Sequence, residues 1–256
     1  MSSSNKVLIT GAAGNIGKAF RQYAKDAGAE YSFRLADRSS DALSAVAQTE
    51  DEIMTLDVAD LDACQQACAS VSTVIHLAAD PSPDADFYSS LLENNIKGTY
   101  NVFRAAKDQG CRRVIFASSA QAVEAYPLDV QVHSGMPVRP KNLYGVSKCF
   151  GEALASYFAD VEGLSSIVVR IANFVSDSDA LHGASARDLS AYISPRDLGE
   201  LLLRCIETPS IKFAVFPGIS NNRYKRMDLS DAREQLKYNP IDDSFAILDG
   251  LRNYSR

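Results

Sequence analysis

The chain has 256 residues, of which 46% are hydrophobic and 23% are charged, and its formal net charge is -6. This composition is typical of one sizeable globular domain and excludes a low-complexity chain. The acidic balance argues against a nucleic-acid surface, and no apolar run approaches the roughly 20 residues that a membrane span needs.

The N-terminus and the cysteines set expectations about location and metals. The opening residues, MSSSNKVLIT, lack the pattern of a signal peptide, so we expect a cytoplasmic protein. The cysteines are Cys64, Cys68, Cys111, Cys149 and Cys205. Their odd number and scattered placement do not suggest a disulfide framework, and they predict no metal site. We therefore expect small, reduced, buried thiols.

Short apolar segments alternate with longer amphipathic segments up to residue 172. Strands are predicted at 6–10, 31–37, 52–57, 73–79, 112–119 and 165–172, and helices at 14–28, 59–70, 86–110 and 142–160. The strands are continuously apolar and β-branched, as expected where helices cover both faces of a sheet. The alternation predicts an α/β fold with a doubly wound parallel sheet of the Rossmann type.

The alternation loosens after residue 172. Residues 173–190 predict a loop, which is followed by a helix at 194–207, a strand at 211–217 and a short helix at 228–238. This part is too small to form a domain of its own. We expect it to pack on the carboxyl side of the sheet, where ligands bind in such folds.

The segment LITGAAGNIG follows the first strand and opens the first helix. Gly11, Gly14 and Gly17 recur at every third position, with Asn15 and Ile16 between the last two. Such glycines allow a tight turn and let the backbone approach a pyrophosphate at the positive end of a helix. The strand before and the helix after are the context that this motif requires.

An acidic residue ends the second strand, twenty positions beyond Gly17. Asp37 is placed to accept hydrogen bonds from the adenosine ribose and to repel a 2'-phosphate. Arg38 is the complication, because a guanidinium can bind a 2'-phosphate. The pair predicts NAD rather than NADP. We therefore expect a single domain over 1–256, with 1–171 mainly the NAD-binding core and 172–256 mainly a small substrate-binding portion.

Further cofactor contacts are expected at the ends of other strands. Asp57 is placed to meet the adenine edge together with the backbone of Val58. The small Ala78 and Ala79 let the chain run close beneath the cofactor. The remaining expected cofactor contacts are Leu77, Asn95, Tyr144, Lys148 and Ile171.

Tyr144 and Lys148 lie four positions apart in the segment NLYGVSKCF, so a helix places them on one face. A free phenol has a pKa near 10, and a nearby ammonium lowers that pKa. Lys148 can also donate to the ribose hydroxyls of a bound nicotinamide cofactor. Ser118 and Ser119 end the fifth strand, and both are candidates to hold the substrate oxygen.

These segments together resemble the extended short-chain dehydrogenase/reductase family over nearly the whole chain. The match rests on TGAAGNIG, HLAA, NNIKGTYNV, VIFASS and YGVSK, and it is most similar to uronate dehydrogenases and related NAD-dependent sugar 1-dehydrogenases. The resemblance implies oxidation at the anomeric carbon of an aldopyranose to a lactone. It implies Tyr144 as base, Lys148 as its lysine and Ser119 as catalytic serine. It further implies that Asn95 supports the active-site helix and that Arg187 binds an anionic C6 group.

The expected substrate pocket departs from the uronate pattern. Ala120 and Gln121 stand where uronate dehydrogenases carry Asn-His, and the loop DPSPDADF is longer. The expected substrate contacts are Ser118, Ser119, Gln121, Tyr144, Asn173 and Arg187. A sulfonate offers three acceptor oxygens, which suits one guanidinium and several neutral donors. The pattern is similar to sulfoquinovose 1-dehydrogenases, so sulfoquinovose, oxidised to sulfogluconolactone, is the leading expectation, ahead of glucose 6-phosphate and uronates.

Other functions stay open from the sequence. Sugar-nucleotide epimerases and dehydratases share the Tyr and the Lys, although they usually need a larger C-terminal region. A non-catalytic cofactor-sensing protein on the same fold often lacks one of the two residues. The expected partner is a small sugar, and a homo-oligomer through the helices at 85–108 and 142–159 is plausible.

Overall fold

The computed structural model describes residues 5–254. Its strands are β1 (Lys6–Thr10), β2 (Ser32–Asp37), β3 (Glu52–Thr55), β4 (Thr73–His76), β5 (Arg113–Ser119), β6 (Ser165–Ile171), β7 (Asn173–Phe174), β8 (Tyr192–Ile193) and β9 (Phe213–Gly218). Its α-helices are α1 (Asn15–Asp26), α2 (Ser40–Ser44), α3 (Leu61–Cys68), α4 (Gly98–Asp108), α5 (Leu143–Asp160), α6 (Ala186–Ser190), α7 (Pro195–Glu207), α8 (Ser230–Leu236) and α9 (Ser244–Tyr254).

One parallel sheet organises the described chain, with the strand order β3-β2-β1-β4-β5-β6-β9. The order reverses between β1 and β4, which opens a crevice beyond their carboxyl ends. The predicted doubly wound parallel sheet is confirmed. β9 comes from the part of the chain after residue 172, so that part completes the main sheet as well as packing against it.

Alternate side chains of each strand supply two cores, one on each face of the sheet. Val7 and Ile9 belong to the core beneath α1 and α7, whereas Leu8 belongs to the core beneath α3, α4 and α5. Phe20 on α1 and Phe103 on α4 are each at most 1% exposed. Burying such a side chain contributes about 1.5–3 kcal/mol, so the cores hold both helical layers to the sheet.

Two predicted elements differ from the structure. The helix predicted at 86–110 begins with π-helical turns over Phe87–Lys97 and becomes regular only at α4. Its first amides bond five residues back, as Leu91 does to the carbonyl of Asp86. The loop predicted at 173–190 contains β7, a 3₁₀ turn at Ser178–Leu181 and α6. Helices α2 and α9 and strand β8 were not predicted.

The described residues, 5–254, include all five cysteines. Every cysteine there is a free thiol, and four of the five are buried. In that part of the chain no group of three or more His, Cys, Asp or Glu residues is placed to hold a metal ion. None of its helices is both long enough and apolar enough to cross a bilayer.

A buried ion pair joins α5 to β6. Arg170 donates to both carboxylate oxygens of Glu152 at 2.9 and 2.8 Å, and the two side chains are only 4% and 7% exposed. Ser118 donates to the same carboxylate at 2.6 Å. The cluster is satisfied by its own hydrogen bonds, and it fixes the middle of α5 against the end of β5.

We expect Glu152→Ala to lower the free energy of unfolding by about 3–5 kcal/mol, because it leaves the buried guanidinium of Arg170 without a counter-charge. Asp160→Ala is the matched control on the same helix. Its partner is Lys212, and both side chains are more than half exposed, so the loss there is about 1 kcal/mol or less. Chemical denaturation of the two variants gives the comparison, and equal losses would contradict it.

Candidate active site

A cavity of about 580 Å³ lies at the carboxyl edge of the sheet. The ends of five strands reach it, because parallel strands finish at one edge. The expected residues on its wall are Gly11, Gly14, Asn15, Ile16, Gly17, Asp37, Arg38, Val58, Leu77, Ala78, Ala79, Ser118, Ser119, Gln121, Tyr144, Lys148, Ile171 and Asn173. The structure thus brings together most of the residues that the sequence singled out. Their roles stay predictions.

Three expected site residues, Asp57, Asn95 and Arg187, are absent from this wall. The carboxylate of Asp57 accepts a hydrogen bond from the backbone amide of Ala59 at 2.9 Å. The expected contact of Asp57 with adenine stays a prediction, and the neighbouring Val58 does line the cavity.

The glycine loop fits a dinucleotide because two chain segments nearly touch there. Gly11 has a positive φ of 70°, and a Cβ added to it would lie 2.7 Å from the amide nitrogen of Ala78. A Cβ on Gly17 would lie 2.4 Å from the carbonyl oxygen of Ala12. Gly14 is the N-cap of α1 and makes no side-chain cap. The first amides of α1 are therefore free of a capping side chain and suit a pyrophosphate.

Asp37 stands at the end of β2 on the wall of the cavity. Its carboxylate accepts hydrogen bonds from the amides of Ala13 at 3.1 Å and Arg38 at 2.8 Å. These two bonds orient the carboxylate and leave acceptor capacity for a ribose diol. The next residue, Arg38, is exposed, so its guanidinium is accessible to solvent.

Lys148 is buried deep in the cavity wall, with 5% of its surface exposed. Its Nζ donates to the carbonyl of Ala117 at 2.8 Å and lies 5.1 Å from the centre of the Phe116 ring. Burial lowers the pKa of Lys148 to about 8. Burial, and then the charge of Lys148, lowers the pKa of His76 to about 3, so His76 is neutral at ordinary pH.

Tyr144 lies one helical turn before Lys148, and the Lys148 Nζ is 5.6 Å from the centre of its ring. Burial raises the pKa of Tyr144, and a hydrogen bond with Ser119 opposes part of that rise. The lowering expected from the lysine is not seen in this structure. The reason is that the ammonium donates a hydrogen bond to the carbonyl of Ala117, while burial removes the phenol from solvent.

Ser118 and Ser119 point to opposite sides of β5, as neighbours on a strand must. Ser118 is 3% exposed, and its hydroxyl donates to the buried Glu152. The Ser119 hydroxyl accepts from the amide of Gln121 at 3.2 Å and bonds with Tyr144. Ser119 therefore has the geometry expected of the serine that holds a substrate oxygen. The expected substrate contact of Ser118 stays a prediction: Ser118 lines the cavity, while its hydroxyl donates to Glu152.

Asn95 fastens the loop after β4 to the active-site helix. Its Oδ1 accepts from the amide of Asp80 at 2.8 Å, and its Nδ2 donates to the carbonyl of Asp80 and to Ser147, each at 3.0 Å. Ser147 lies on α5 between Tyr144 and Lys148. All polar atoms of the Asn95 side chain are engaged within the protein, as expected of a residue that supports the active-site helix, and its cofactor contact stays a prediction.

Gln121 and Asn173 line the cavity as expected. The Gln121 Oε1 accepts from Asn142 at 3.0 Å, and Asn142 caps α5 by accepting from the amide of Gly145 at 2.7 Å. Asn173 donates weakly to the carbonyl of Asp188 at 3.4 Å. The side-chain nitrogen Nε2 of Gln121 stays available to a ligand. Neutral donors therefore face the part of the cavity lined by Ser119, Gln121 and Asn173, which is called the sugar end below.

Arg187, expected to bind an anionic group, is held by carboxylates of the protein itself. Its guanidinium forms a bidentate pair with Glu124 and donates to Asp188 at 3.2 Å. Burial lowers the pKa of Arg187, but the hydrogen bond and charge of Glu124 outweigh it, so the pKa is raised. Three of its five N–H donors are engaged, so an anion that binds through the same Nε–Nη fork would have to displace Glu124.

The sequence reasoning missed part of the cavity wall. The missed residues are Thr10, Ala36, Leu56, Pro81, Pro83, Asn94, Ala117, Ala172 and Phe174. Most of them lie at strand ends next to predicted residues, so the strand-end rule alone would have found them. Nothing in the sequence indicates that Asn94 lines the cavity, because it lies in the π-helical segment, whose side chains do not follow the regular helical period.

Comparisons with known proteins agree with this geometry. An NAD-dependent glucose-6-phosphate dehydrogenase of Haloferax volcanii is 37% identical over 252 residues, covering 93% of this chain and 94% of that protein. A uronate dehydrogenase of Pseudomonas putida is 33% identical over 240 residues, covering 94% of this chain and 85% of that protein.

A solved structure is similar as well. It is the uronate dehydrogenase of Agrobacterium tumefaciens, a mutant complexed with NAD, with a TM-score of 0.85 at 31% identity, covering 97% of this chain and 89% of that chain. Residues 7–209 match the NAD dependent epimerase/dehydratase family. The expected cofactor, NAD, is confirmed by this match. The chain belongs to the NAD-dependent epimerase/dehydratase family.

Proposed function

We propose that this chain oxidises C1 of an aldopyranose bearing an anionic group at C6, with NAD as acceptor and the 1,5-lactone as product. The observation that carries the proposal is the convergence of Ser119, Tyr144 and Lys148 in the cavity that also holds the glycine loop. The coarser expectation, an NAD-dependent sugar dehydrogenase, is confirmed by the similar dehydrogenases. The expected cytoplasmic location and homo-oligomer stay predictions.

Ser119, Tyr144 and Lys148 have separate roles in the proposed reaction. Bound in this cavity, NAD supplies a positively charged ring that accepts the hydride from C1. Ser119 holds the C1 hydroxyl, and Tyr144 takes its proton as the C1–H bond breaks and the C1=O bond forms. Lys148 would donate to the ribose and, as an ammonium, stabilise the phenolate form of Tyr144 that accepts this proton. The products are the lactone, the reduced cofactor and one proton.

The sugar's C6 group is the open part of the proposal. The names of the relatives favour glucose 6-phosphate and uronates. Sulfoquinovose, the leading expectation from the sequence, shares the anionic C6 group and stays a third candidate. On the cavity wall the cations are Arg38 and Lys148. Arg38 is next to Asp37 and Lys148 faces Ala117, so neither is placed for a C6 anion.

The direct test is NADH formation with glucose 6-phosphate, glucuronate, galacturonate, sulfoquinovose and glucose. We expect at least one anionic sugar to exceed glucose in kcat/KM by about tenfold or more, because a charge-assisted hydrogen bond is worth about 1.5–3 kcal/mol. Glucose acting as well as every anionic sugar would contradict the C6 assignment. Conversion of a sugar nucleotide without release of NADH would identify an epimerase instead.

We expect Tyr144→Phe to lower turnover by about 10²–10⁴-fold, because proton transfer from the hydroxyl loses its base. Binding of NAD, measured by calorimetry, should change little, since the aromatic ring remains and only the hydroxyl is lost. Tyr157→Phe on the same helix is the matched control, because Tyr157 is 47% exposed and its hydroxyl bonds Glu162. Near-full turnover by the Tyr144 variant would refute the assignment.

Lys148 also predicts how stability depends on pH. Its folded pKa of about 8 lies below the ordinary 10.5, so between these values the unfolded chain holds more protons than the folded one. The free energy of unfolding therefore gains a rising contribution over that interval, up to about 3 kcal/mol.

Lys148→Met removes the titrating group and with it this contribution. We expect denaturant titrations of the cofactor-free protein between pH 7.5 and 10, values chosen to bracket the pKa of about 8, to show the wild type gaining on the variant as pH rises. A constant difference between the two proteins across the interval would show that the Lys148 pKa is not lowered.

A further inference from the structure

The ion pair between Glu124 and Arg187 is a built feature beside the sugar end of the cavity. Arg187 donates through Nε to one oxygen of Glu124 at 3.0 Å and through an Nη atom to the other oxygen. The two side chains are 20% and 15% exposed. A bidentate pair of this kind uses the same fork of donors that a sugar's carboxylate, sulfonate or phosphate would need.

The chain path places this pair next to residues of the reaction site. Glu124 directly follows the 3₁₀ turn Ala120–Val123, which begins after Ser119. Arg187 lies on α6, and the carbonyl of the adjacent Asp188 accepts from Asn173 on the cavity wall. The pair therefore bridges the two segments that flank the sugar end.

A neighbouring guanidinium adds to the local charge, and both of its Nη atoms are engaged by backbone carbonyls. Arg226 is 5% exposed and donates to the carbonyls of Tyr126, Pro127 and Val130 at 2.6–2.8 Å. Burial lowers its pKa, while the charge of Glu124 raises it and that of Arg187 lowers it further. If the Glu124 carboxylate swung away, two positive charges would be left facing each other. An incoming anion would relieve that repulsion.

We propose that Glu124 is an exchangeable counter-ion that holds Arg187 until the anionic C6 group of the sugar displaces it. This inference rests on the proposed function and deepens it. A phosphate carries about -1.5 to -2 charges at neutral pH, whereas a carboxylate or a sulfonate carries one. Displacing the tethered carboxylate costs the same for each ligand, and the larger charge of the phosphate offsets that cost best. The substrate class that fits is a hexose 6-phosphate.

The test is calorimetric binding to NAD-loaded protein in the Tyr144→Phe background, which prevents turnover. We expect Glu124→Gln to tighten binding of glucuronate and of glucose 6-phosphate by about tenfold each, because the same cost of displacing Glu124 is removed for both, so that the wild-type preference for phosphate persists. Glucose affinity should stay within about twofold. Unchanged or weaker binding of both anionic sugars overturns the inference.

Asp188→Asn is the matched control, because Asp188 touches the same guanidinium through one bond at 3.2 Å and its side chain is 41% exposed. We expect it to change the affinities by less than about threefold. An effect as large as that of Glu124→Gln would overturn the special role of Glu124. The double variant E124Q/R187M, which removes both charges and avoids an unpaired guanidinium, should bind all three sugars alike.

Failure of the inference is distinguishable from failure of the proposed function. NADH formation by protein with Tyr144 intact tests the reaction, and it does not depend on Glu124 exchange. If no sugar yields NADH, inorganic phosphate serves as the probe. Binding of phosphate that Glu124→Gln tightens and R187M abolishes would still support the exchange, and phosphate binding that neither variant changes would overturn it.

Discussion

The position of α5 is the constraint on which the active site depends, and buried polar contacts hold that helix on both flanks. On one flank Asn95 bonds Ser147, and on the other Arg170 bonds Glu152. Because the helix cannot turn or slide between these contacts, Tyr144 and Lys148 keep a fixed height above the strand ends. The positions of Tyr144 and Lys148 are thus fixed by polar contacts made within the protein.

The same burial that fixes these groups changes their acid strength. It raises the pKa of Tyr144 and lowers that of Lys148 to about 8, so both groups are pushed toward their neutral forms. Ser119 opposes the shift on the phenol, while the carbonyl of Ala117 stabilises the ammonium. The protein alone does not produce a strong base. In the proposed mechanism, the positive ring of bound NAD would make the phenol easier to ionise.

The fold and most of the site could be predicted from the sequence, because strand–glycine loop–helix order and strand-end residues obey local rules. What could not be predicted depends on contacts between distant segments. The engagement of Ser118 requires Glu152 and Arg170, and that of Arg187 requires Glu124, 63 positions away. The π-helical turns at Phe87–Lys97 cannot be recognised from the spacing of apolar residues in the sequence. Likewise, the short strands β7 and β8 pair only with each other, so neither segment signals a strand alone.

The last strand of the sheet has a consequence for synthesis of the protein. β9 lies beside β6 at the edge of the sheet, yet it is translated well after it, with β7, β8 and two helices between them. Until β9 leaves the ribosome, the outer side of β6 presents unpaired backbone amides and carbonyls, the kind of edge on which other chains aggregate. Pairing with β9 therefore covers this edge of β6. A stalled nascent chain that lacks β9 would expose the edge, which is then available to pair with other chains.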